Sequence, residues 1–498
     1  MQHKMTITRL LTRAAVMLLL ALLSTTSWAE LVQDADGYYL IGTNAEWTEF
    51  ANGINDGTIA AATNVKLMAD ITATTMIGTG NKKYAGTFDG QGYTITANIT
   101  GTTGYEAPFN YIQGATIKNL TVEGTINGAI HCSSLVGGAY GTNSINNIKI
   151  TATITTTGSH CGGVVGHGFT SNTTIRDCLF SGTINGRSAG STIGAIWGWS
   201  DGATANIFRC LENGSYTNCA TTFNPISQGG GTRNISTTYY VNAKTGGNAY
   251  GLLATSEQLT SGEITYKLQS NRGDLVWGQT IATQNLPKLH LFDNTALRVY
   301  RTIDGYSNNP EEALLSQDSD GYFLIGTSDD WRALAMLVDE MEQGVNAKMT
   351  ADIDLGDGQT MMGSFATPYA GIFDGQGHTL TINYDRTGLA YSPSMDYGAA
   401  PFLYIQNATI KNLHVDGSIH TSTKFAAGVV GDVQGTQSLI EKCRSSVNIT
   451  SSVNGEGCMG GVVSHMTNGH TVFIRDCHFD GSFDAPNAWG NGGIMGYK

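Results

Sequence analysis

The sequence predicts an all-β fold, a right-handed parallel β-helix in two copies, each preceded by a short capping helix. Three observations carry this prediction. A strand-like segment returns at a nearly constant spacing, its apolar residues alternate with polar ones, and the 498 residues include 64 glycines but only 8 prolines. A repeat of roughly 20 to 50 residues indicates stacked units. Abundant glycine with little proline suits many tight turns between short strands.

The repeating segment supplies columns of apolar residues. It aligns as Thr116–Ile126, Ser144–Ile154, Thr174–Ile184 and Asn206–Tyr216, then as Thr409–Ile419, Leu439–Ile449 and Phe473–Phe483. The first column holds Ile117, Ile145, Ile175 and Ile207, at spacings of 28, 30 and 32 residues. Thr, Val and Ile dominate, which favours strands over helices. Because one coil cannot bury its inward face alone, neighbouring coils must stack at roughly 4.8 Å per rung.

A helix is predicted before each set of coils. In the first half Asn44 is the expected cap, and the apolar positions with helical spacing are Trp47, Phe50, Ala51 and Ile54. In the second half Ser328 is the expected cap, and the corresponding positions are Trp331, Leu334, Ala335 and Val338. Each helix is expected to cover the first rung, whose open edge would otherwise pair with other chains.

These patterns divide the chain into five parts. They are a signal peptide (1–29), a first β-helix (30–230), a closing segment for it (231–300), a linker (301–318) and a second β-helix (319–498). The second copy stops at Lys498, at a position equivalent to about Ser200, so we expect it to be incomplete.

The first 29 residues have the pattern of a secretory signal peptide. A basic start with Lys4 and Arg9 precedes an apolar stretch, and the small residues Ser27 and Ala29 occupy the −3 and −1 positions. We therefore expect cleavage after Ala29 and an exported protein, at the cell surface or outside the cell. The apolar stretch is too short to span a bilayer, and no later run of about 18 apolar residues follows, so no membrane span is predicted.

The composition excludes one class of partner. Only 13% of residues are charged, and the formal net charge is −13. Phosphate binding needs clustered Lys and Arg, so no nucleic acid is expected as a partner.

Six of the eight cysteines form pairs one rung apart. The pairs are Cys132 with Cys161, Cys178 with Cys210, and Cys443 with Cys477. Neighbouring rungs bring Cα atoms within the disulfide range, but side chains that point the same way hold their Cβ atoms wider than ideal. Free, inward thiols that pack as small apolar groups are the favoured interpretation, and disulfides stay open as the alternative.

A second recurring element places two apolar residues beside glycine, as in Gly162-Gly163-Val164-Val165-Gly166. Together with the FDGQG of residues 88–92 and the ATIKNL of residues 115–120, it resembles the GLUG-motif repeat proteins of bacterial cell surfaces, common among Bacteroidetes-like sequences. The resemblance covers about residues 32–230 and 316–498. It implies an exported β-helical module that is non-catalytic or that lies beside a peptidase domain.

Histidine and cysteine lie together twice, as His131-Cys132 and His160-Cys161, which suggests zinc. Adjacent strand residues face opposite sides, however, so inward cysteine with outward histidine is favoured. His167 and His465 occupy matching places after the apolar-glycine element.

Two acidic pairs resemble the start of a calcium loop, Asp34 with Asp36 and Asp318 with Asp320. Both lack the closing glutamate at position 12, so a simple turn is favoured. No metal, cofactor or catalytic residue is therefore assigned.

The sequence predicts an exported, non-enzymatic cell-surface or secreted repeat protein, a stalk or adhesin-like binding module. Glycans or host and surface proteins are the expected partners. Tyr105, Tyr140 and Trp199 could stack on sugars if they are exposed, but packing in the core or at corners is the favoured interpretation for these rings. The alternative is a carbohydrate-active β-helix enzyme, a polysaccharide lyase or hydrolase, or an accessory region of a larger surface enzyme. No acidic stripe forms beside the isoleucine column. Asp177 and Asp476 are the first residues to test for catalysis, and a solvated strand position is the structural alternative expected for both. The oligomeric state stays open.

Overall fold

The computed structural model describes residues 31–187, 192–219, 224–242, 250–270, 272–339, 343–388, 398–466 and 469–497. The chain divides into two compact units, unit 1 up to Thr255 and unit 2 from Ser256. Strands dominate, and they form a β-solenoid of about 14 turns. The predicted all-β parallel β-helix is thus confirmed, and the structure is compatible with the right-handed sense expected for it. The predicted signal peptide lies outside the described residues.

Unit 1 contains one helix, Asn44–Asp56, and a long series of short strands within its described residues. The strands are Val32–Gln33, Tyr39–Ile41, Val65–Leu67, Ile71–Ala73, Thr87–Asp89, Thr94–Thr100, Phe109–Gln113, Thr116–Gly128, Cys132–Ser133, Val136–Ile150, Thr153–Thr156, His160–Gly162, Val165–Phe180, Thr183–Asn185, Thr192–Gly194, Trp197–Ser200, Thr204–Phe208, Leu211–Glu212, Ser215–Thr217, Thr232–Ser236, Tyr239–Tyr240 and Leu252–Leu253. Val32–Gln33 pairs antiparallel with Tyr39–Ile41. Coil-to-coil pairings run parallel along the rest of the unit.

The predicted isoleucine column is present and buried. Ile145 pairs in register with Ile117 on one side and Ile175 on the other, and Ile175 pairs with Ile207. All four side chains are fully buried. Burial of such a side chain contributes about 1.5–3 kcal/mol, so the column is a main source of cohesion between rungs.

Glu212 is a carboxylic acid in an otherwise apolar column, and it is fully buried. Its carboxylate accepts hydrogen bonds from the Tyr216 hydroxyl at 2.6 Å and from the Gly214 amide at 2.8 Å. Burial raises the pKa of Glu212, and these hydrogen bonds oppose the rise. The sequence position is polar, but its partners make the burial tolerable.

The first capping helix begins one residue earlier than expected. Thr43, rather than Asn44, is the N-cap, because its hydroxyl accepts from the Glu46 amide at 3.2 Å while the Glu46 carboxylate accepts from the Thr43 amide at 2.9 Å. The Asn44 side chain instead accepts from the Thr72 amide at 2.7 Å, which ties the helix to a strand. The predicted apolar face of the helix is buried, including Trp47.

One corner of the first solenoid is built from residues in the left-handed conformation. They are Asn119, Asn147, Asp177, Arg209 and Thr237, with φ between 45° and 57°. We call this set the corner ladder. Asn147 donates to the Asn119 side chain at 2.9 Å, so successive rungs are also joined through their side chains. Asparagine tolerates positive φ better than most residues, which explains its place here.

Parallel rungs continue past residue 230. Thr232–Ser236 pairs with Thr204–Phe208, and Leu252–Leu253 pairs with Tyr239–Tyr240. Residues from Ser256 onward belong to unit 2. The closing role expected for residues 231–300 stays a prediction.

Unit 2 begins with two short helices and then forms the second solenoid. Its helices are Ser256–Ser261, Glu263–Gln269 and Ser328–Asp339, with 3-10 turns at His290–Phe292 and Pro310–Glu312. Its strands are Trp277–Gly278, Lys288–Leu289, Tyr300–Thr302, Gly305–Ser307, Phe323–Ile325, Ala347–Met349, Ile353–Asp354, Ile372–Asp374, Thr379–Arg386, Phe402–Gln406, Thr409–Lys411, His414–Thr421, Val430–Gln434, Ser438–Glu441, Arg444–Ser445, Asn448–Ser451, Gly455–Glu456, Val463–Met466, Val472–Arg475, His478–Phe479, Ser482–Asp484, Ala488–Trp489 and Met495–Tyr497. No helix in the described part of the chain is long and apolar enough to cross a membrane.

The segment expected to be a linker contains structure of its own. Tyr300–Thr302 and Gly305–Ser307 form an antiparallel hairpin, and a 3-10 turn follows at Pro310–Glu312. The helix Ser328–Asp339 precedes the second solenoid as predicted. Thr327 occupies the place of its cap, because its hydroxyl accepts from the Asp330 amide at 3.1 Å.

Candidate functional site

Each of the two aspartates named for catalysis lies at a corner of its own solenoid. Asp177 belongs to the corner ladder, is 5% exposed and pairs with Arg209 at 3.5 Å between Oδ1 and Nε. Asp476 has φ 51°, is exposed and lies in unit 2. Asp177 was expected at a solvated strand position. A corner that needs positive φ and an arginine on the next rung explains why it is buried instead.

The acidic pairs compared with calcium loops close turns and bind lysine. The Asp34 carboxylate accepts from the Asp36 and Tyr38 amides at 3.0 and 2.9 Å, and its second oxygen lies 2.7 Å from the Lys66 ammonium. The hydrogen bond with Lys66 lowers the pKa of Asp34. Asp318 repeats this arrangement with Lys348, 2.5 Å away. The oxygens that calcium would need are thus already engaged by a cation of the protein.

The histidines and cysteines separate as expected for strand neighbours. Cys132 and Cys161 pair in register inside the core of the first solenoid. His131 and His160 lie on the other side of the same segments, where their rings stack at 5.4 Å. Among the described residues, no group of three or more His, Cys, Asp or Glu is arranged to hold a metal.

On the outer surface of the first solenoid, eight rings lie together in one surface that we call the ring patch. Its members are Tyr105, Tyr111, His131, Tyr140, His160, His167, Phe169 and Trp199. Most are partly exposed, whereas His131 and His167 are buried. The described chain thus carries a continuous aromatic and imidazole surface outside its apolar core.

The rings form two rows along the solenoid axis. In the first row, Tyr105, His131, His160 and Trp199 follow one another with centroid distances of 5.2, 5.4 and 4.3 Å. In the second row, Tyr111, Tyr140 and Phe169 follow at 6.4 and 4.2 Å. These steps resemble the rung spacing because each ring comes from a successive coil.

His167 lies between the two rows and joins them. Its ring is 4.3 Å from the His131 ring and 4.1 Å from the Phe169 ring. Its Nδ1 lies 3.4 Å from the Tyr105 hydroxyl, and its Nε2 lies 3.1 Å from an Asp201 oxygen. The second approach is a close polar contact rather than a well-directed hydrogen bond. Tyr105, His167 and Asp201 therefore form a chain of polar contacts that ends at an exposed carboxylate.

Burial keeps the imidazoles of the ring patch neutral. It lowers the pKa of His131 to about 3, and the neighbouring His167 and His160 add to this effect. Burial likewise lowers the pKa of His160 and of His167, with Asp201 opposing the change in both. His131 Nδ1 is buried without a hydrogen-bond partner in the described residues. An unsatisfied buried nitrogen of this kind costs about 1–3 kcal/mol.

Two ring-patch residues have a backbone conformation that is rare for their type. Tyr105 has φ 66° and His131 has φ 60°, and neither belongs to the corner ladder. The left-handed region costs such residues roughly 1–2 kcal/mol each. Strain of this kind accumulates at functional sites, where the surrounding structure maintains it.

The strand register explains how the sequence builds the patch. Tyr111 pairs with Gly138, which pairs with His167, which pairs with Trp199. A Cβ at Gly138 would lie 2.6 Å from the Tyr111 ring and 3.1 Å from the Phe169 ring. Because Gly138 has no side chain, the Tyr111 and Phe169 rings pack into the space beside it. The glycine in this column of rings is the signal in the sequence that could have indicated the patch.

The second solenoid carries a smaller counterpart at the same register positions. Tyr404, Asp432, His465 and Tyr497 pair in sequence along its outer column. His465 Nδ1 lies 3.0 Å from an Asp432 oxygen, and its ring lies 4.6 Å from Phe425. Phe425 has φ 71°, like the strained His131 of the first solenoid. Both copies therefore place a histidine beside a carboxylate and a strained ring.

Comparisons with known proteins bear little on function. No family model matches the chain, and no curated protein matches it. Among solved structures, a putative immunoglobulin A1 protease from Bacteroides ovatus is similar, with 15% identity and a TM-score of 0.36, over 52% of this chain and 94% of that one. Membership of the GLUG-motif proteins stays a prediction.

Proposed function

We propose that this chain is an exported, non-enzymatic repeat protein of the GLUG type that binds carbohydrate through the ring patch. The observation that supports it is the pair of ring rows along the axis of the first solenoid, with steps of 4.2 to 6.4 Å. A solenoid is a stiff scaffold, so such rows keep a constant spacing.

Sugars match this surface chemically. A pyranose ring presents a face of C–H groups that stacks on aromatic rings, while its hydroxyls need polar partners at the edge. The ring patch supplies both, with Trp199 at one end of a row and the exposed Asp201 beside it, 3.1 Å from the indole nitrogen. Rings arranged along an axis favour a polymer or an extended oligosaccharide over a single sugar.

Charge favours a neutral or cationic ligand over an anionic one. The chain carries a net charge of −13, and Asp201 is the carboxylate at the patch. Lys83 is nearby, with its ammonium 4.6 Å from the Tyr140 ring centroid. One lysine does not provide the basic cluster that a polyanion requires.

The experiment is a glycan array followed by calorimetric titration of the best ligand. Trp199→Ala is expected to weaken binding about tenfold, which corresponds to roughly 1.4 kcal/mol of stacking. Trp489→Ala is the matched control, because Trp489 is 57% exposed and lies outside the patch, and it is expected to leave affinity unchanged. Equal losses in both variants, or no glycan ligand at all, would reject the proposed function.

One observation favours the enzymatic alternative. The contacts from Tyr105 through His167 to Asp201 resemble an acid-base relay. Glycoside hydrolysis usually requires two carboxylates that flank the scissile bond, and the patch contributes one. Chromatography of candidate polysaccharides after incubation decides this point: cleavage that His167→Ala abolishes and Asp177→Ala does not would establish the alternative.

A further inference from the structure

Three pairs of cysteines lie on neighbouring coils, and one pair differs from the other two in solvent accessibility. Cys132, Cys161, Cys178 and Cys210 are all fully buried. Cys443 is 1% exposed, whereas its neighbour Cys477 is partly exposed. Cys443 and Cys477 both carry free thiols in the structure. An oxidant in solution therefore reaches this pair through the Cys477 thiol.

The two thiols of this pair are stacked. The residues that follow them, Arg444 and His478, pair in register, and the His478 amide donates to the Cys443 carbonyl at 2.9 Å. Each Sγ lies 3.6 Å from a carbonyl oxygen of the preceding coil, that of Ile410 for Cys443 and that of Ile440 for Cys477. Both side chains therefore point the same way, one rung apart. In-register Cα atoms lie roughly 4.8 Å apart, which is inside the range of disulfides. Because the two side chains point the same way, their Cβ atoms start wider apart than in an ideal disulfide, so the side chains must rotate toward each other as the bond forms.

The electrostatics of the pair make Cys477 the nucleophile. The hydrogen bond with Cys443 lowers the pKa of Cys477 to about 7 and raises that of Cys443. Burial raises the pKa of Cys178, and the hydrogen bond with Cys132 raises that of Cys161. The thiolate is the reactive form, so near neutral pH Cys477 reacts in preference to these buried thiols.

We propose that Cys477 and Cys443 react with low-molecular-weight disulfides to form a disulfide between two coils of the second solenoid. The Cys477 thiolate attacks one sulfur of oxidised glutathione and releases one glutathione thiolate. Cys443 then gives its proton to the released glutathione thiolate and attacks the Cys477 sulfur of the mixed disulfide. The second glutathione leaves as a thiolate and takes a proton from solvent. Two protein thiols are oxidised and one glutathione disulfide is reduced, so no other oxidant is needed. The product is a covalent bond between the coil that carries Cys477 and the preceding coil, which carries Cys443.

The test treats the full chain with oxidised glutathione at pH 7.5 and maps its products by peptide mass spectrometry without reduction. Wild type is expected to yield a Cys443–Cys477 cross-linked peptide, with no lasting glutathione adduct and with the Cys178 and Cys210 thiols intact. Cys443→Ser is expected to stop at the mixed disulfide and to retain glutathione on Cys477. Cys443→Ala provides a second variant without the resolving thiol, in case serine disturbs this buried position.

Cys477→Ser is expected to abolish both products. A stable glutathione adduct in wild type would overturn the proposal, because it would show that Cys443 does not reach the mixed disulfide. No reaction at Cys477, or oxidation of the Cys178 and Cys210 pair first, would also overturn it.

Discussion

The rings of His131 and His167 stack 4.3 Å apart, although they belong to successive coils of the first solenoid. The contact joins two neutral imidazoles, since burial lowers the pKa of each. In the second solenoid the corresponding contact is between Phe425 and His465, at 4.6 Å. The position of His131 in the first solenoid is thus occupied by Phe425 in the second. Of these two contacts, the one in the first solenoid joins two titratable side chains.

This pair makes the first solenoid sensitive to acid. In the unfolded chain His131 takes up a proton near pH 6.5, whereas in the folded chain it does so near pH 3. The unfolded state therefore binds more protons between these values, and the free energy of unfolding falls as the pH falls, by up to about 1.4 kcal/mol per pH unit. His131→Phe keeps a ring and is expected to flatten this dependence.

Hydrogen exchange of peptides within residues 136–150, measured from pH 7 to pH 4 with correction for intrinsic rates, checks the prediction. His478→Phe is the control, because His478 is mostly exposed, with a side chain 69% accessible. Equal pH slopes in wild type and His131→Phe would contradict the role given to the buried imidazole.

The stacked interior predicts opposite outcomes for two adjacent residues. Ile175 is fully buried in the isoleucine column, while Arg176 is exposed. Ile175→Ala is expected to lower the free energy of unfolding by about 2–5 kcal/mol through a cavity. Arg176→Ala is expected to change it by less than about 0.5 kcal/mol. Urea denaturation followed by local hydrogen exchange separates the two, and similar costs would be incompatible with a shared apolar core.

The corner ladder predicts a backbone effect at Asp177. Its φ of 53° suits glycine, and its carboxylate pairs with Arg209. Asp177→Ala loses the pairing and keeps the strain, whereas Asp177→Gly loses the pairing but relieves the strain. We expect the glycine variant to be more stable than the alanine variant by about 1 kcal/mol, measured by chemical denaturation. The reverse order would show that the left-handed backbone at this corner imposes no strain that glycine relieves.

Gly138 provides a test of the ring patch that does not remove any ring. Gly138→Ala places a methyl group against the Tyr111 ring and is expected to weaken glycan binding at least threefold, about 0.7 kcal/mol. Gly80→Ala is the matched control, because a Cβ there meets nothing within 4 Å. Calorimetry on both variants checks this. Unchanged affinity for Gly138→Ala would mean that the ligand does not depend on the packing of these rings.

The architecture was predictable because its buried residues recur in the sequence with a regular period. Ile117 and its equivalents recur at the spacing of one coil, and a side chain that must be buried on every rung leaves this trace in any solenoid. Cys132 with His131 was predictable for a related reason, since adjacent strand residues face opposite sides.

The ring patch was harder to foresee. Tyr105 and His167 are 62 residues apart, and they meet because two outer segments of different coils fold against each other. Their contact depends on the gap at Gly138 and on the unusual φ of Tyr105, neither of which composition or periodicity reveals. The prediction of a strand position for Asp177 was wrong for a similar reason. A left-handed corner cannot be distinguished from a strand position by the alternation of apolar and polar residues alone.

The most direct test of the account is hydrogen–deuterium exchange of the full chain with and without the oligosaccharide selected by the array. Binding at the ring patch predicts protection confined to residues 104–113, 131–140, 160–169 and 197–201. Protection that falls instead on the opposite faces, such as residues 118–126 and 146–154, or on no part of the first solenoid, would contradict it.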